Sequence, residues 1–135
     1  EAYANNDAAK YISLHSKEFV RASGGNKSSL DLAGYAAQSE RSFAWAIDNG
    51  SRSGIEFRFF ERFASATTAS ERGYFKYTSY PKTGAPSVAY GKFHVFLRKE
   101  NGVWKILTDY DSDEGGKVGE ADYKAAAAVD DFSKF

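Results

Sequence analysis

A change of hydrophobic period near residue 50 constrains this chain more than any other feature. Before it, apolar residues recur at helical spacing; after it, they alternate with polar ones, as in strands with one buried face. Four such segments follow one another, at residues 54–66, 71–80, 87–99 and 103–112. The dipeptide Asn101-Gly102 separates the last two and favours a two-residue hairpin turn. The second half of the chain is therefore predicted to be an antiparallel meander.

Three helices are predicted around this meander. Residues 2–17 and 30–48 carry apolar residues at helical spacing, and Asn49-Gly50 is a natural stop for the second helix. An alanine-rich helix is predicted over 119–132. Helices, then consecutive strands, then a helix is the order of an α+β domain. We expect residues 1–135 to form one such domain.

Composition narrows the range of partners. The 18 basic and 18 acidic residues balance, which disfavours nucleic acid and anionic membranes as partners. No apolar run is long enough to span a bilayer, so no membrane partner is expected. The chain starts at Glu1, which fits a removed signal peptide or a trimmed start equally well, so the compartment stays open between cytoplasmic and exported.

No cofactor or metal site is predicted. The chain has no cysteine and two histidines, too few for the usual zinc or iron sites. Asp109, Asp111, Asp113 and Glu120 have the spacing of calcium-loop carboxylates. However, Glu114 stands where such a loop needs glycine for its sharp turn, so we expect strand residues there.

Three segments resemble a known superfamily. Residues 90–109 (YGKFHVFLRKENGVWKILTD) resemble the last hairpin of SnoaL-like and ketosteroid-isomerase-like proteins of the nuclear-transport-factor-2-like (NTF2-like) superfamily. Residues 6–14 and 69–74 are similar to their first helix and central strand. The resemblance covers about residues 2–113 and is strongest to small stand-alone members of unknown function. It implies a curved antiparallel sheet wrapped around helices, a cone-shaped cystatin-like roll, with the C-terminal helix as an addition.

The hairpin also predicts a candidate catalytic pair. With Asn101-Gly102 in the turn, His94 is expected opposite Asp109, Lys92 opposite Asp111, and Phe96 opposite Leu107, all on one face. The resemblance implies that this face lines a pocket, with His94 where ketosteroid isomerases place a protonated acid. His94 and Asp109 would then form an acid–base dyad. Ser23 stands where those isomerases carry their carboxylate base, which puts steroid isomerase chemistry in doubt.

Other residues are candidates for ligand contacts, and each has a structural alternative as well. His94 and Asp109 could be a plain cross-strand pair, His15 a packed helix histidine, and the tyrosines core packing. The ligand-binding candidates are Tyr11, His15, Tyr74, Tyr90, Lys92, Phe96, Leu107 and Asp111.

Two functional hypotheses follow. The first is a homodimeric domain that binds a small apolar or aromatic ligand in an aromatic-walled pocket, since the chain has 11 Phe, nine Tyr and two Trp. The alternative is a cofactor-independent isomerase, lyase or cyclase that uses the His94–Asp109 dyad. A purely structural dimerisation module, with its cavity filled by side chains, is a third possibility.

Overall fold

A computed structural model describes residues 1–132 and has the predicted α+β class. Six strands form one curved, unclosed sheet in the order β2-β1-β6-β5-β4-β3. Residues 133–135, inside the predicted domain boundary, lie outside the described residues. The elements are α1 (Ala8–Ser13), β1 (His15–Ser23), β2 (Ser28–Asp31), α2 (Leu32–Asp48), β3 (Arg52–Ala64), β4 (Thr68–Tyr80), β5 (Ser87–Glu100), β6 (Val103–Ser112) and α3 (Glu120–Ala125). None of the described helices is long and apolar enough to cross a membrane.

The predicted meander is confirmed as β3 to β6. A short extended piece is also predicted at Phe19 and Val20, and it is part of the longer β1, whereas β2 was not predicted. The helix predicted over 2–17 is only Ala8–Ser13, capped by the Asp7 carboxylate, which accepts a hydrogen bond from the Lys10 amide at 2.9 Å. From His15 onward the chain is extended, and β1 pairs antiparallel with β2 but parallel with β6. The sheet is therefore mixed. Pairing with β6 outweighs a helical propensity that is weak in so short a segment.

The β5–β6 hairpin follows the predicted register only near its turn. Asn101 and Gly102 have φ values of 48° and 79°, as a two-residue hairpin turn requires. Pairing holds as expected as far as Leu97 opposite Ile106, and then shifts by one residue. Leu107 is the extra residue of this β-bulge. The predicted pairs His94–Asp109, Lys92–Asp111 and Phe96–Leu107 are consequently wrong.

The register sorts the side chains of β3 to β6 onto two faces. The inner face looks toward α1 and α2, since Tyr77 packs against Tyr3, with ring centres 6.2 Å apart, and lines a cavity with α2. It carries Ile55, Phe57, Phe59, Phe75, Tyr77, Phe93, Val95, Asp109 and Asp111. The outer face carries Glu56, Tyr74, Lys76, Tyr90, Lys92, His94, Phe96 and Tyr110.

Two glycines make room for aromatic rings on the inner face. Gly73 lies opposite Phe93, and Gly91 opposite Phe75. A Cβ on Gly91 would lie 2.3 Å from the Phe75 ring, and one on Gly73 would lie 2.9 Å from the Phe93 ring. Each ring therefore packs directly on the backbone of the glycine that faces it, in the space that a side chain at that glycine would occupy.

Helix α2 packs on the inner face through a stripe of Tyr35, Ser39 and Phe43, which are all buried. Asp31 caps its first turn by accepting a hydrogen bond from the Gly34 amide at 2.8 Å. The helical spacing of residues 30–48 predicts a stripe of Leu32, Ala36, Ser39, Phe43 and Ile47. Ser39 and Phe43 are confirmed, whereas Tyr35 is buried in place of Ala36 and Ile47 is 62% exposed. The observed spacing of four residues brings a tyrosine to the sheet near Arg21.

The C-terminal helix is shorter than the predicted 119–132. It ends at Ala125, because Ala126 turns to an extended conformation with ψ of 161°. Ala127 then pairs with Phe59 at the edge of β3, with hydrogen bonds of 2.9 and 2.7 Å. The unpaired backbone of an edge strand competes with helix continuation at this point. Before crossing that edge, α3 places Tyr123 over Tyr90 of the outer face, with ring centres 5.7 Å apart.

Candidate functional site

A cavity of about 570 Å³ lies between the N-terminal segment, α2 and the adjoining ends of β3 and β4. This volume lies within the range of small-molecule sites. Four tyrosines, one phenylalanine and one tryptophan supply its aromatic lining: Tyr3, Tyr11, Tyr35, Tyr77, Phe43 and Trp45. Among the predicted ligand residues, only Tyr11 lies in this lining.

Three tyrosine hydroxyls form a chain inside the cavity. The Tyr3 hydroxyl donates to the Tyr11 hydroxyl at 3.5 Å, and the Tyr11 and Tyr35 hydroxyls lie 2.6 Å apart. Burial raises the pKa of Tyr11 and of Tyr35 above their ordinary value. The phenols therefore stay protonated at neutral pH and can donate hydrogen bonds.

Arg21 of β1 borders the cavity and is anchored by the two aspartates of β6. It donates to the Asp111 carboxylate at 2.6 Å and to the Asp109 carbonyl oxygen at 3.3 Å. Its guanidinium lies 5.9 Å from the centre of the Tyr35 ring. Burial works against the Arg21 charge, but the hydrogen bond to Asp111 and the charges of both aspartates leave its pKa above the ordinary value.

Asp109 is a strongly perturbed carboxyl group. Burial raises its pKa to about 6, with Arg21 opposing and Asp111 adding to the shift. It lies beside Arg21 in the parallel β1–β6 pairing and opposite Val95 in β5. Its side chain is thus on the inner face, beside Arg21, and is not part of the cavity lining.

His94 is on the outer face, so the predicted dyad does not form. It lies opposite Tyr110, and its Nε2 is 2.9 Å from the Ser70 hydroxyl. Its ring lies 4.4 Å from that of Phe96. Burial and the charge of Arg72 lower the pKa of His94, while Glu61 opposes them. His94 and Asp109 therefore point to opposite sides of the same sheet.

Most of the remaining candidates also lie away from the cavity. Tyr74, Tyr90, Lys92 and Phe96 are on the outer face, and Leu107 occupies the bulge. Lys92 lies over the Phe60 ring at 5.8 Å and pairs with Ser112 instead of Asp111. Asp111 is on the inner face, where it forms the ion pair with Arg21.

His15 is buried beneath the cavity at the start of β1. Its Nδ1 lies 3.0 Å from the carbonyl oxygen of Tyr11, so this nitrogen carries the proton. Its Nε2 is buried without a hydrogen-bond partner among the described residues. Burial lowers the pKa of His15, and its ring packs 4.4 Å from Phe19. These contacts describe a neutral packing residue.

Sequence reasoning missed most residues of the site, and four of them illustrate why: Tyr3, Arg21, Tyr35 and Tyr77. Tyr35 stands one position from the predicted stripe of α2, and a full count of that helix would have found it. The other three carry no local signal, because their contacts come from distant elements. Among the described residues, no three His, Asp or Glu side chains are placed to hold a metal ion.

Solved structures with the same fold were found by comparison. An NTF2-like protein with a cystatin-like fold from Novosphingobium aromaticivorans has a TM-score of 0.67 and 14% identity, covering 92% of this chain and 78% of that one. An NTF2-like protein of unknown function from Shewanella oneidensis has a TM-score of 0.64 and 17% identity, covering 83% and 88%. A ketosteroid-isomerase-like protein from Erwinia carotovora atroseptica has a TM-score of 0.59 and 19% identity, covering 82% and 84%. No protein-family model and no curated protein matches the chain. These likenesses confirm the predicted fold.

Proposed function

We propose that this chain, which has the fold of NTF2-like and ketosteroid-isomerase-like proteins, binds a small aromatic molecule in the tyrosine-lined cavity. The observation that carries the proposal is the cavity of about 570 Å³, with three linked hydroxyl groups at its wall. Apolar walls with a few convergent polar groups are characteristic of ligand sites. Structural dimerisation alone would not need such a cavity.

One hydroxyl proton of the three linked tyrosines is not used in the hydrogen bonds between them. Tyr3, Tyr11 and Tyr35 carry three hydroxyl protons but share only two hydrogen bonds with one another. One O–H group therefore remains to donate to a ligand oxygen. Aromatic rings around this group suit a flat ligand that carries at least one acceptor atom.

Binding is favoured over catalysis. The pKa of about 6 makes Asp109 a possible proton acceptor near neutral pH, but its side chain is not part of the cavity lining. An isomerase, lyase or cyclase that acts through His94 and Asp109 has no geometric support, because the sheet separates the two side chains.

A matched pair of tyrosine variants tests the proposal. We expect 2-naphthol, which is aromatic and carries one hydroxyl, to bind with saturation in isothermal titration calorimetry. Tyr11→Phe should weaken it about fivefold, since a hydrogen bond contributes about 1 kcal/mol. Tyr74→Phe on the outer face, whose hydroxyl has no partner among the described residues, should leave the affinity unchanged.

Two results would contradict the proposal. One is the absence of saturable binding by the wild-type protein, with 2-naphthol and related phenols. The other is an equal loss of affinity in both tyrosine variants, because the outer face and the cavity would then be equivalent.

We further propose that a second copy of the chain covers the outer face. Phe96 and Phe63 flank Ser70 across neighbouring strands and border a shallow groove, and they are 45% and 63% exposed. Tyr110, one row further, is 38% exposed. Exposed aromatic rings grouped on one sheet face suit a symmetric partner that presents the same rings.

A further inference from the structure

The cavity lining carries a second set of hydroxyl groups, which belong to serines. Ser39, Ser53 and Ser79 all border the cavity. Their hydroxyl groups make no hydrogen bond with any described residue. By contrast, the hydroxyl groups of Tyr11 and Tyr35 lie 2.6 Å apart and are paired with each other. The serines are therefore free to bond to a ligand, independently of the tyrosine hydroxyl chain.

Two of these serines lie side by side on the inner face of the sheet. Ser53 of β3 is directly opposite Ser79 of β4. Both are inner-face positions, because they stand two residues from Ile55 and Tyr77, which are on that face. Directly opposite side chains have Cβ atoms about 5 Å apart, so a single ligand oxygen can contact both hydroxyl groups.

This serine pair lies at the far end of the cavity from the tyrosine hydroxyl chain. The α2 residues of the lining run from Tyr35 to Ala46, which is about 16 Å of helix. Tyr35 belongs to the hydroxyl chain at one end. At the other end, the Ser51 hydroxyl donates to the Ala46 carbonyl oxygen at 3.4 Å, and Ser53 follows two residues later. The cavity is therefore elongated along α2 and polar at both ends.

Ser39 adds a buried hydroxyl group between the two ends. It belongs to the stripe of α2 that packs toward the sheet, and the residue is 6% exposed. A buried hydroxyl group without a hydrogen-bond partner is unfavourable, and an oxygen atom of a ligand can supply that partner. The lining thus suits a ligand that carries several oxygen atoms better than a plain hydrocarbon.

We propose that the cavity selects elongated aromatic molecules with an oxygen substituent at each end. This inference rests on the proposed function and adds a second polar group to the ligand. One oxygen accepts a hydrogen bond from the tyrosine hydroxyl chain, and a hydroxyl group at the other end bonds to Ser53 and Ser79. A serine hydroxyl both donates and accepts, so it matches a hydroxyl group of the ligand. The rings of the ligand lie between the two ends, among the aromatic side chains of the lining.

Two probes that differ at one end only test the inference. They are 2,6-dihydroxynaphthalene and 6-methyl-2-naphthol, which have nearly the same shape but carry a hydroxyl or a methyl group at the second position. Their affinities are measured by isothermal titration calorimetry on the wild type, the double variant Ser53→Ala/Ser79→Ala and the control Ser28→Ala/Ser29→Ala. The control serines are exposed residues of β2 outside the cavity lining.

The wild type should bind the diol about fivefold more tightly than the methyl compound, which is the scale of one hydrogen bond. The variant without Ser53 and Ser79 should reverse this preference, because a hydroxyl group that meets only apolar atoms is harder to desolvate than a methyl group. The β2 control should keep the wild-type preference. Each protein is judged by the ratio of its two affinities, so a general weakening of binding does not alter the result.

Two results would overturn the inference and leave the proposed function intact, provided that 2-naphthol still binds. One is a wild type that binds the methyl compound at least as tightly as the diol. The other is a preference for the diol that survives the loss of both serines. Failure of the wild type to bind 2-naphthol and both probes would overturn the two proposals together. Unchanged thermal unfolding verifies the fold of the serine variant, and the wild-type comparison needs no variant at all.

Discussion

The two faces of the sheet use the same four strands for opposite purposes. The inner face holds Phe75 and Phe93 over glycines and keeps Asp109 largely buried. The outer face carries exposed ion pairs, such as Lys76–Glu56 at 3.2 Å, and the half-exposed ring of Phe96. Because successive side chains of a strand point to opposite faces of the sheet, a single strand can contribute both to a cavity and to an outer surface.

The β5–β6 hairpin shows that a single extra residue decides which face of the sheet a side chain occupies. His94 and Asp109 would share a face in an unbroken ladder, but the bulge at Leu107 moves them to opposite sides. One extra residue in β6 thus turns a plausible acid–base pair into two unrelated groups. The register of a sheet therefore decides which side chains lie close enough to act together.

The largest expected effect concerns the inner face. A Cβ at Gly73 would lie 2.0 Å from the Arg58 carbonyl oxygen as well as against the Phe93 ring. Gly73→Ala should therefore lower the free energy of unfolding by about 3 kcal/mol, measured by urea denaturation. Gly119→Ala, where no atom lies within 4 Å of an added Cβ, should change it by less than about 0.5 kcal/mol. Similar losses in both variants would show that the inner face is not tightly packed.

The second prediction concerns the outer face. Phe96→Glu should place a charge in the proposed contact between two copies and raise the dimer dissociation constant about 100-fold, or about 2.7 kcal/mol. Analytical ultracentrifugation over a range of concentrations measures this change. Ile47→Glu, on the exposed side of α2 and away from the outer face, serves as the control and should leave the dimer unchanged. A monomeric wild type at millimolar concentration would refute the proposed contact.

The third prediction concerns pH and compares an inner carboxylate with a surface one. The pKa of Asp109 is about 6 in the folded chain, above the ordinary value of 3.8. The folded state therefore keeps a proton that the unfolded state releases, and stability falls as the pH rises from about 4 to 6. Asp109→Asn should remove about 2 kcal/mol of this fall.

The measurement is the free energy of unfolding at pH 4 and at pH 7, compared between wild type and variant. Asp48→Asn, an exposed residue at the end of α2, should follow the wild-type difference. An Asp109→Asn curve parallel to the wild-type one would mean that Asp109 is well solvated.

Much of the fold was predictable because it depends on local patterns. The alternation over 54–112 predicted β3 to β6 closely, and Asn101-Gly102 predicted the turn with its two positive φ values. The full length of β1, from His15 to Ser23, was not predictable, because its partners β2 and β6 lie elsewhere in the sequence. The candidate site was predicted poorly: Tyr11 lies in the cavity, whereas His94 does not.

By itself, the sequence determined the α+β class, the order of the meander and the position of its turn, because period and turn chemistry act over a few residues. Only the tertiary structure decided which residues share a cavity. The bulge at Leu107 and the packing of Tyr35 on the sheet both depend on contacts between distant segments. A site is a three-dimensional arrangement, and the spacing of residues along the chain does not record it.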